Sequence, residues 1–116
     1  ITDWSGIAYE FSYTTKKPSL FINTPMKIIN PNYEKISITP IDISLRNEIG
    51  VAVDTDKLNT LKQTVDMLFE KQVEYHSAIE NAMQKYLFNI GESGKVGAKY
   101  ILNALKERAA KEKEEN

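Results

Sequence analysis

Thr2-Asp3-Trp4-Ser5-Gly6-Ile7-Ala8-Tyr9-Glu10-Phe11 is the stretch on which the reading of this chain turns. Thr2, Asp3 and Ser5 are all good helix N-cap residues, and Gly6 stands where backbone is expected to approach something closely. Ile7, Ala8 and Phe11 then fall on one face at i, i+1 and i+4, as suits a short helix packed on a sheet. A helix N-terminus carries about half a positive charge and unpaired N–H donors, so phosphate binds there with little further machinery. Glu10 lies further along, in reach of a ligand hydroxyl. Spacing alone favours the plainer alternative, an ordinary capped helix with a solvated Glu10.

Working outward, the first half of the chain reads as α/β and the second as helical. A first helix is predicted from Ser5 to Tyr13, ending before Lys16-Lys17-Pro18, where proline forbids continuation. Leu20-Phe21-Ile22 is an unbroken apolar run flanked by turn residues, the pattern of a buried parallel strand. Thr24 to Pro40 holds Pro25, Pro31 and Pro40, with Asn30 and Asn32, and predicts a long irregular loop. Ile36, Ile38, Ile41, Ile43 and Leu45 alternate, which predicts short extended pieces. Ile49–Val53 is a second small strand, closed by Asp54 as the cap of the next helix. The expected fold class is therefore α/β, with two short parallel strands under helix one and a largely helical C-terminal half. It is read as a single domain, with an α/β part over 1–53, a helical part over 54–105 and a charged tail over 106–116.

The helical part carries three apolar stripes. Leu58, Leu61, Val65 and Leu68 form the first, with Lys57, Lys62 and Glu70 outside it. Val73, Ile79, Ala82, Met83, Tyr86 and Leu87 form the second, on the second of three helices, with continuity to the first through Lys71 as the alternative, and Gly91 is read as its C-terminal cap. Ser93 caps the last helix, whose face is Val96, Tyr100, Ile101, Ala104 and Leu105. From Lys106 onward the tail is helix-prone, solvated and expected to fray.

Composition narrows the function classes. The net charge is −1, from 15 basic and 16 acidic side chains, so no bulk field favours nucleic acid or an anionic membrane. No run approaches the ~20 apolar residues that cross a bilayer. The absence of cysteine excludes a disulfide scaffold and thiolate metal sites and fits a cytoplasmic setting. Gly91-Glu92-Ser93-Gly94-Lys95 has the look of a P-loop, but the full pattern needs glycine where Asn89 stands and serine or threonine where Val96 stands. His76 is the single histidine, so a metal site or a Ser-His-Asp triad is not expected, and it reads as a surface residue. Trp4, Tyr9, Phe11, Tyr13 and Phe21 read as core of the helix–sheet contact. Arg46, isolated in Ser44-Leu45-Arg46-Asn47-Glu48, reads as a surface partner of Glu48 or Asp42 in preference to a phosphate contact.

The opening decapeptide, with Pro18 and Leu20-Phe21-Ile22 after it, resembles the S/T-D-(Y/W)-S-(S/G)-xxx-(D/E)-(F/Y)…P-xx-F block of the CDP-glycerol glycerophosphotransferases. The later run from Asn89 to Leu102 is similar to that family's closing segment. The resemblance implies a fragment of a Rossmann-like GT-B C-terminal domain, the nucleotide-binding half of an enzyme that builds teichoic-acid-like or capsular polymers. It implies Thr2, Asp3, Ser5 and Gly6 at the diphosphate of a CDP-glycerol-like donor and Glu10 at its ribose. Catalytic histidines and basic diphosphate clamps would lie upstream, in a missing N-terminal portion, since the chain opens at Ile1 and a GT-B enzyme needs two domains. No catalytic residue, metal or cofactor is implied within these residues. The other partner implied is a polymer acceptor, at the cytoplasmic face of a membrane, and torn sheet edges would favour self-association of the piece. A non-catalytic helical interaction module is the alternative from a different class.

Overall fold

The computed structural model describes residues 1–28 and 30–114. The chain divides into two compact units, Ile1–Lys85 and Tyr86–Asn116. The first contains α1 (Ile7–Thr15), β1 (Ser19–Asn23), α2 (Ile41–Ser44), α3 (Arg46–Ile49), β2 (Gly50–Asp54) and α4 (Leu61–Glu70). It also contains nearly all of α5 (Gln72–Tyr86). The second unit is built on α6 (Ser93–Glu114).

β1 and β2 pair in parallel with Ser19 opposite Gly50, Phe21 opposite Ala52 and Asn23 opposite Asp54. Thr2 adds one parallel bridge to Phe21. Its N–H donates to the Leu20 carbonyl at 2.9 Å and its carbonyl accepts from Ile22 N–H at 2.8 Å. Those two groups point to the edge of β1 away from β2, so β1 is the central row.

Side-chain alternation then assigns the faces. Leu20, Val53 and Leu68 form one buried cluster, with Ile22, Val51, Leu61, Val65, Met67 and Tyr75 packed on it. α4 therefore covers that face through Leu61, Val65 and Leu68 of the predicted stripe, whereas its fourth member, Leu58, lies ahead of α4 in a 3-10 segment and is exposed. The opposite face carries Ser19 and Phe21, against which α1 lies. Ser12 Oγ and Ser19 Oγ are 3.0 Å apart and buried, and Ser19 Oγ also reaches the Ala8 carbonyl at 3.4 Å. Tyr9 packs on Phe21 with ring centroids 6.4 Å apart. Its phenol donates across to the Asp42 carbonyl, tying α1 to α2. Leu45 and Ile49, fully buried, complete this layer.

Several expectations are corrected. α1 starts at Ile7 because Gly6 is its N-cap, and it ends when Lys16 turns left-handed at φ 57° and donates its N–H to Ser12. Its buried face is Ala8, Tyr9 and Ser12, whereas Ile7 and Phe11 are exposed. The polar Ser12 goes inside because Ser19 answers it, and that rotates the helix away from its most apolar stripe. Ile41 to Leu45 is helical where alternation predicted extension. Pro40, in extended backbone, starts the turn, and Leu45 and Ile49 meet the core at helical i, i+4 spacing. Asp54 stands before a 3-10 segment, Thr55–Thr60, but its carboxylate makes no cap bond. It takes Asn23 Nδ2 at 2.7 Å and Lys57 Nζ at 3.1 Å instead.

Lys71, at φ −91° and ψ 15°, separates α4 from α5, so the two stripes are not one helix. Val73 is exposed, whereas Ile79 and Ala82 are buried. α5 stops at Tyr86, and Gly91 at φ 81° belongs to the turn before α6 instead of capping α5. In the described residues of 24–40 the one regular piece is a 3-10 turn at Tyr33–Lys35. In the second unit α6 begins at Ser93 itself and stays helical through the tail expected to fray, with Arg108 Nε bonded to Glu112 Oε1 at 3.0 Å. The end of that expected tail, Glu115 and Asn116, lies outside the described residues. Among the described residues no helix is long and apolar enough to cross a membrane.

The tightest point in the sheet is Gly50. A Cβ built there would stand 1.8 Å from the Ser19 carbonyl oxygen, a backbone atom that cannot swing aside. Gly50→Ala is expected to destabilise the protein by roughly 2–4 kcal/mol through forced separation of β1 from β2. Urea unfolding followed by circular dichroism measures it, with Gly6→Ala, which meets nothing within 4 Å, as the neutral control.

Candidate functional site

The turn Asp3–Gly6 leaves the carboxyl end of the Thr2 bridge and enters α1, the place in a parallel sheet where ligands collect. The two backbone groups of Thr2 are consumed by β1, so its hydroxyl is what it has left for a ligand. Ser5 and Gly6 are exposed, and no protein group among the described residues accepts their amides. Ser5 Oγ receives only a long contact, 3.4 Å, from the Ile7 amide. Gly6 has φ −60° and no neighbour within 4 Å of a built Cβ, so no close approach within the chain demands glycine there. The unclaimed donors are thus the Ser5 and Gly6 amides just ahead of α1, since the first amides of the helix itself turn back to Ser5 and Gly6.

The other predicted residues are less convergent. Asp3 is exposed and makes no ion pair, although its charge is felt at Arg46. Glu10 is exposed on α1 and makes no hydrogen bond or ion pair among the described residues. The structure groups Ser5 and Gly6, sets Asp3 beside them and leaves Glu10 apart. Among the described residues no cluster of acidic or histidine side chains is arranged to hold a metal ion. His76 lies half-exposed with Nε2 3.4 Å from Glu80, a surface pair. Gly91 and Glu92 are a turn that follows α5 and Ser93–Lys95 is the start of α6, with Lys95 near Glu92 at 3.8 Å, which is not the strand-to-helix context of a P-loop.

Arg46 is where sequence reasoning erred most. Neither Asp42 nor Glu48 pairs with it; it is buried, at 5% exposure, against the turn. Its guanidinium carbon lies 3.7 Å from the centroid of Trp4 and 4.8 Å from that of Phe21. Trp4 is itself fixed by its indole N–H, which donates to the Thr24 carbonyl at 2.7 Å. Arg46 Nε and Nη2 are buried and have no hydrogen-bond partner among the described residues. Each such orphan costs about 1–3 kcal/mol, more when the group is charged. The ring contacts return on the order of 2 kcal/mol when desolvated. A cation remains that the protein solvates incompletely. Burial pulls the Arg46 pKa down from its ordinary value, opposed by Tyr9 and then Asp3. The signal available in the sequence was Arg46 lying between Leu45 and Ile49, an arginine inside a short buried helical turn.

A groove of about 410 Å³ opens on the far side of α1, lined by Ile1, Ile7, Phe11, Leu20, Leu68 and Phe69 among others. This explains why Ile7 and Phe11 are exposed: they face the open edge of the sheet beside Thr2. No family model matches the chain, and no curated protein or solved structure is significantly similar to it.

Two predictions follow from this environment. Replacing a poorly solvated buried charge by a similar apolar volume is commonly neutral or stabilising. Arg46→Met should therefore keep the urea midpoint or raise it, whereas an arginine retained only for packing would lose about 2 kcal/mol or more. Tyr9 sets the alkaline limit. Burial first, then Asp42, push its phenol up to about 12, with Arg46 acting the other way. The unfolded chain gives up that proton near the ordinary value of 10.0, the folded one only near 12. Stability should fall as pH rises through that window, by on the order of 2 kcal/mol at its end. Tyr9→Phe should flatten the slope in melts recorded from pH 9 to pH 12.

Proposed function

We propose that the Asp3–Gly6 turn, at the entrance of α1, binds the diphosphate of a nucleotide donor. The chain is then the donor-side part of a transferase of the kind that the CDP-glycerol glycerophosphotransferases represent. It serves the movement of glycerol phosphate, or a related group, from a CDP-type donor onto a cell-surface polymer. The observation that carries this reading is the pair of unclaimed amides at Ser5 and Gly6, at the end of a parallel strand row and the start of a nine-residue helix. Such amides, with the helix dipole behind them, favour the charge that grows on a departing nucleotide diphosphate. Ser5 Oγ adds a donor, Glu10 is the ribose contact, and Asp3 orients the turn. The general base comes from outside these residues. Localisation at the cytoplasmic face of a membrane follows from the acceptor in this reading.

One observation favours a second reading. α6 leaves Tyr100, Ile101 and Leu105 exposed at 76%, 60% and 58%, a surface that a helical interaction module would use. Calorimetric titration with CDP-glycerol and CDP separates the two. Donor binding with Ser5→Ala weakened about 5- to 30-fold, the worth of one hydrogen bond to a charged acceptor, supports the transferase reading. Glu10→Ala should weaken CDP more than it weakens pyrophosphate, with no change in the melt. No measurable nucleotide binding by the wild-type chain would leave the interaction module.

A further inference from the structure

We propose that Arg46 is itself an anion-binding residue, and that Trp4 is the roof under which its guanidinium meets one phosphate of a diphosphate ester. The inference deepens the reading above and rests on its helix-terminus site. Four observations meet at this point. The guanidinium is buried, which arginine tolerates only when paired. Nε and Nη2, two adjacent donors of the planar fork, have no acceptor among the described residues. Asp3, the nearest carboxylate in the chain sequence to this turn, acts on Arg46 electrostatically but stays exposed and forms no ion pair with it. Trp4, stacked 3.7 Å from the guanidinium, immediately precedes Ser5, whose amide is also unclaimed.

The unfilled donors therefore come from two segments, the Ser5–Gly6 turn and Arg46 of α3, that meet through Trp4, and they carry the same sign. A single phosphate fits either, whereas a diphosphate has an oxygen set for each: one at the Ser5 and Gly6 amides, the other at Nε and Nη2. A fork of parallel N–H groups is the geometry that takes a phosphate through two oxygens. Nε and Nη2 are closed off from solvent, so ligand entry must displace a neighbouring group, and the indole stacked on the guanidinium is the candidate. Trp4 is half-buried and held by a single hydrogen bond to Thr24 and by the stack itself, so that motion breaks few contacts. Phe21 forms the fixed floor, at 1% exposure in the middle of β1.

Trp4 is the single tryptophan of the chain, so its emission reports on this site without labelling. The test titrates the full chain with sodium pyrophosphate and, separately, with CDP at constant ionic strength, following Trp4 fluorescence and heat of binding. Saturable binding with a change in Trp4 emission is expected, with affinity at least tenfold lower in Arg46→Met. Arg46→Lys, which keeps the charge without the fork, should fall between. Circular dichroism checks that each variant is folded, and Arg46→Lys carries the test if Arg46→Met is not. Equal binding by wild type and both Arg46 variants, with Ser5→Ala weakened, overturns this inference and leaves the helix-terminus site. Loss in the Arg46 variants with Ser5→Ala unchanged keeps the arginine site and removes the helix-terminus one. No binding of either ligand by wild type overturns both. Tighter binding of CDP than of pyrophosphate identifies the ligand as a nucleotide, and the reverse identifies free diphosphate.

Discussion

The register between β1 and β2 is the constraint on which the rest of the first unit depends. Ser19 stands opposite a residue without a side chain, and the backbones are close enough that a Cβ at Gly50 has no place to go. Because side chains alternate, a slip of one residue would exchange the two faces. With β1 fixed, β2 would turn Val51 and Val53 away from α4 and against α1. Ser19, whose carbonyl crowds Gly50, also holds α1 through Ser12 and the Ala8 carbonyl, so one residue sets strand spacing and helix position together.

What was readable in the residues was periodicity acting over a few neighbours. Leu20-Phe21-Ile22 and Gly50 to Val53 are continuous apolar runs, and they became the paired parallel strands. Leu61, Val65 and Leu68 lie three or four apart, and they cover one face of that sheet. What was not readable required knowing a distant partner. Ser12 is polar and inside because Ser19, seven residues on, completes its hydrogen bond. Ile41 and Ile43 alternate as a strand would, yet Leu45 and Ile49 find the core at helical spacing and take the segment with them. Arg46 looked like a surface cation because no local pattern shows that two aromatic rings from elsewhere will close over it. In the candidate site, the exposed turn with Ser5 and Gly6 could be read from sequence, and the buried cation beside it could not.

Two of the first unit's departures from good burial face different directions. On the Phe21 face a charge is packed among rings without enough acceptors. At the Thr2 edge, Ile7 and Phe11 stand in an apolar groove without enough cover. Local rules that fail at functional positions are expected to fail where a ligand or a surface completes the environment. Both departures adjoin the Asp3–Gly6 turn, one through Trp4 and the other through Ile7, so the turn is bordered by a polar deficit and an apolar one.

Parallel pairing has a further consequence for the path between the strands. Two parallel neighbours cannot be joined by a tight hairpin, so Asn23 must return to Gly50 the long way round. Most of that return, Thr24 to Pro40, has little regular structure among its described residues, and of these all but Thr24 are exposed. The entropy of closing such a loop grows only with the logarithm of its length, about 0.6 kcal/mol for each doubling. The span from Pro25 to Thr39 is therefore the part of the unit whose length is least constrained by the energetics of folding. Thr24 is the exception, since its carbonyl holds the indole of Trp4. Divergence or engineered insertion has wide freedom one residue beyond a position that the roof of the site requires.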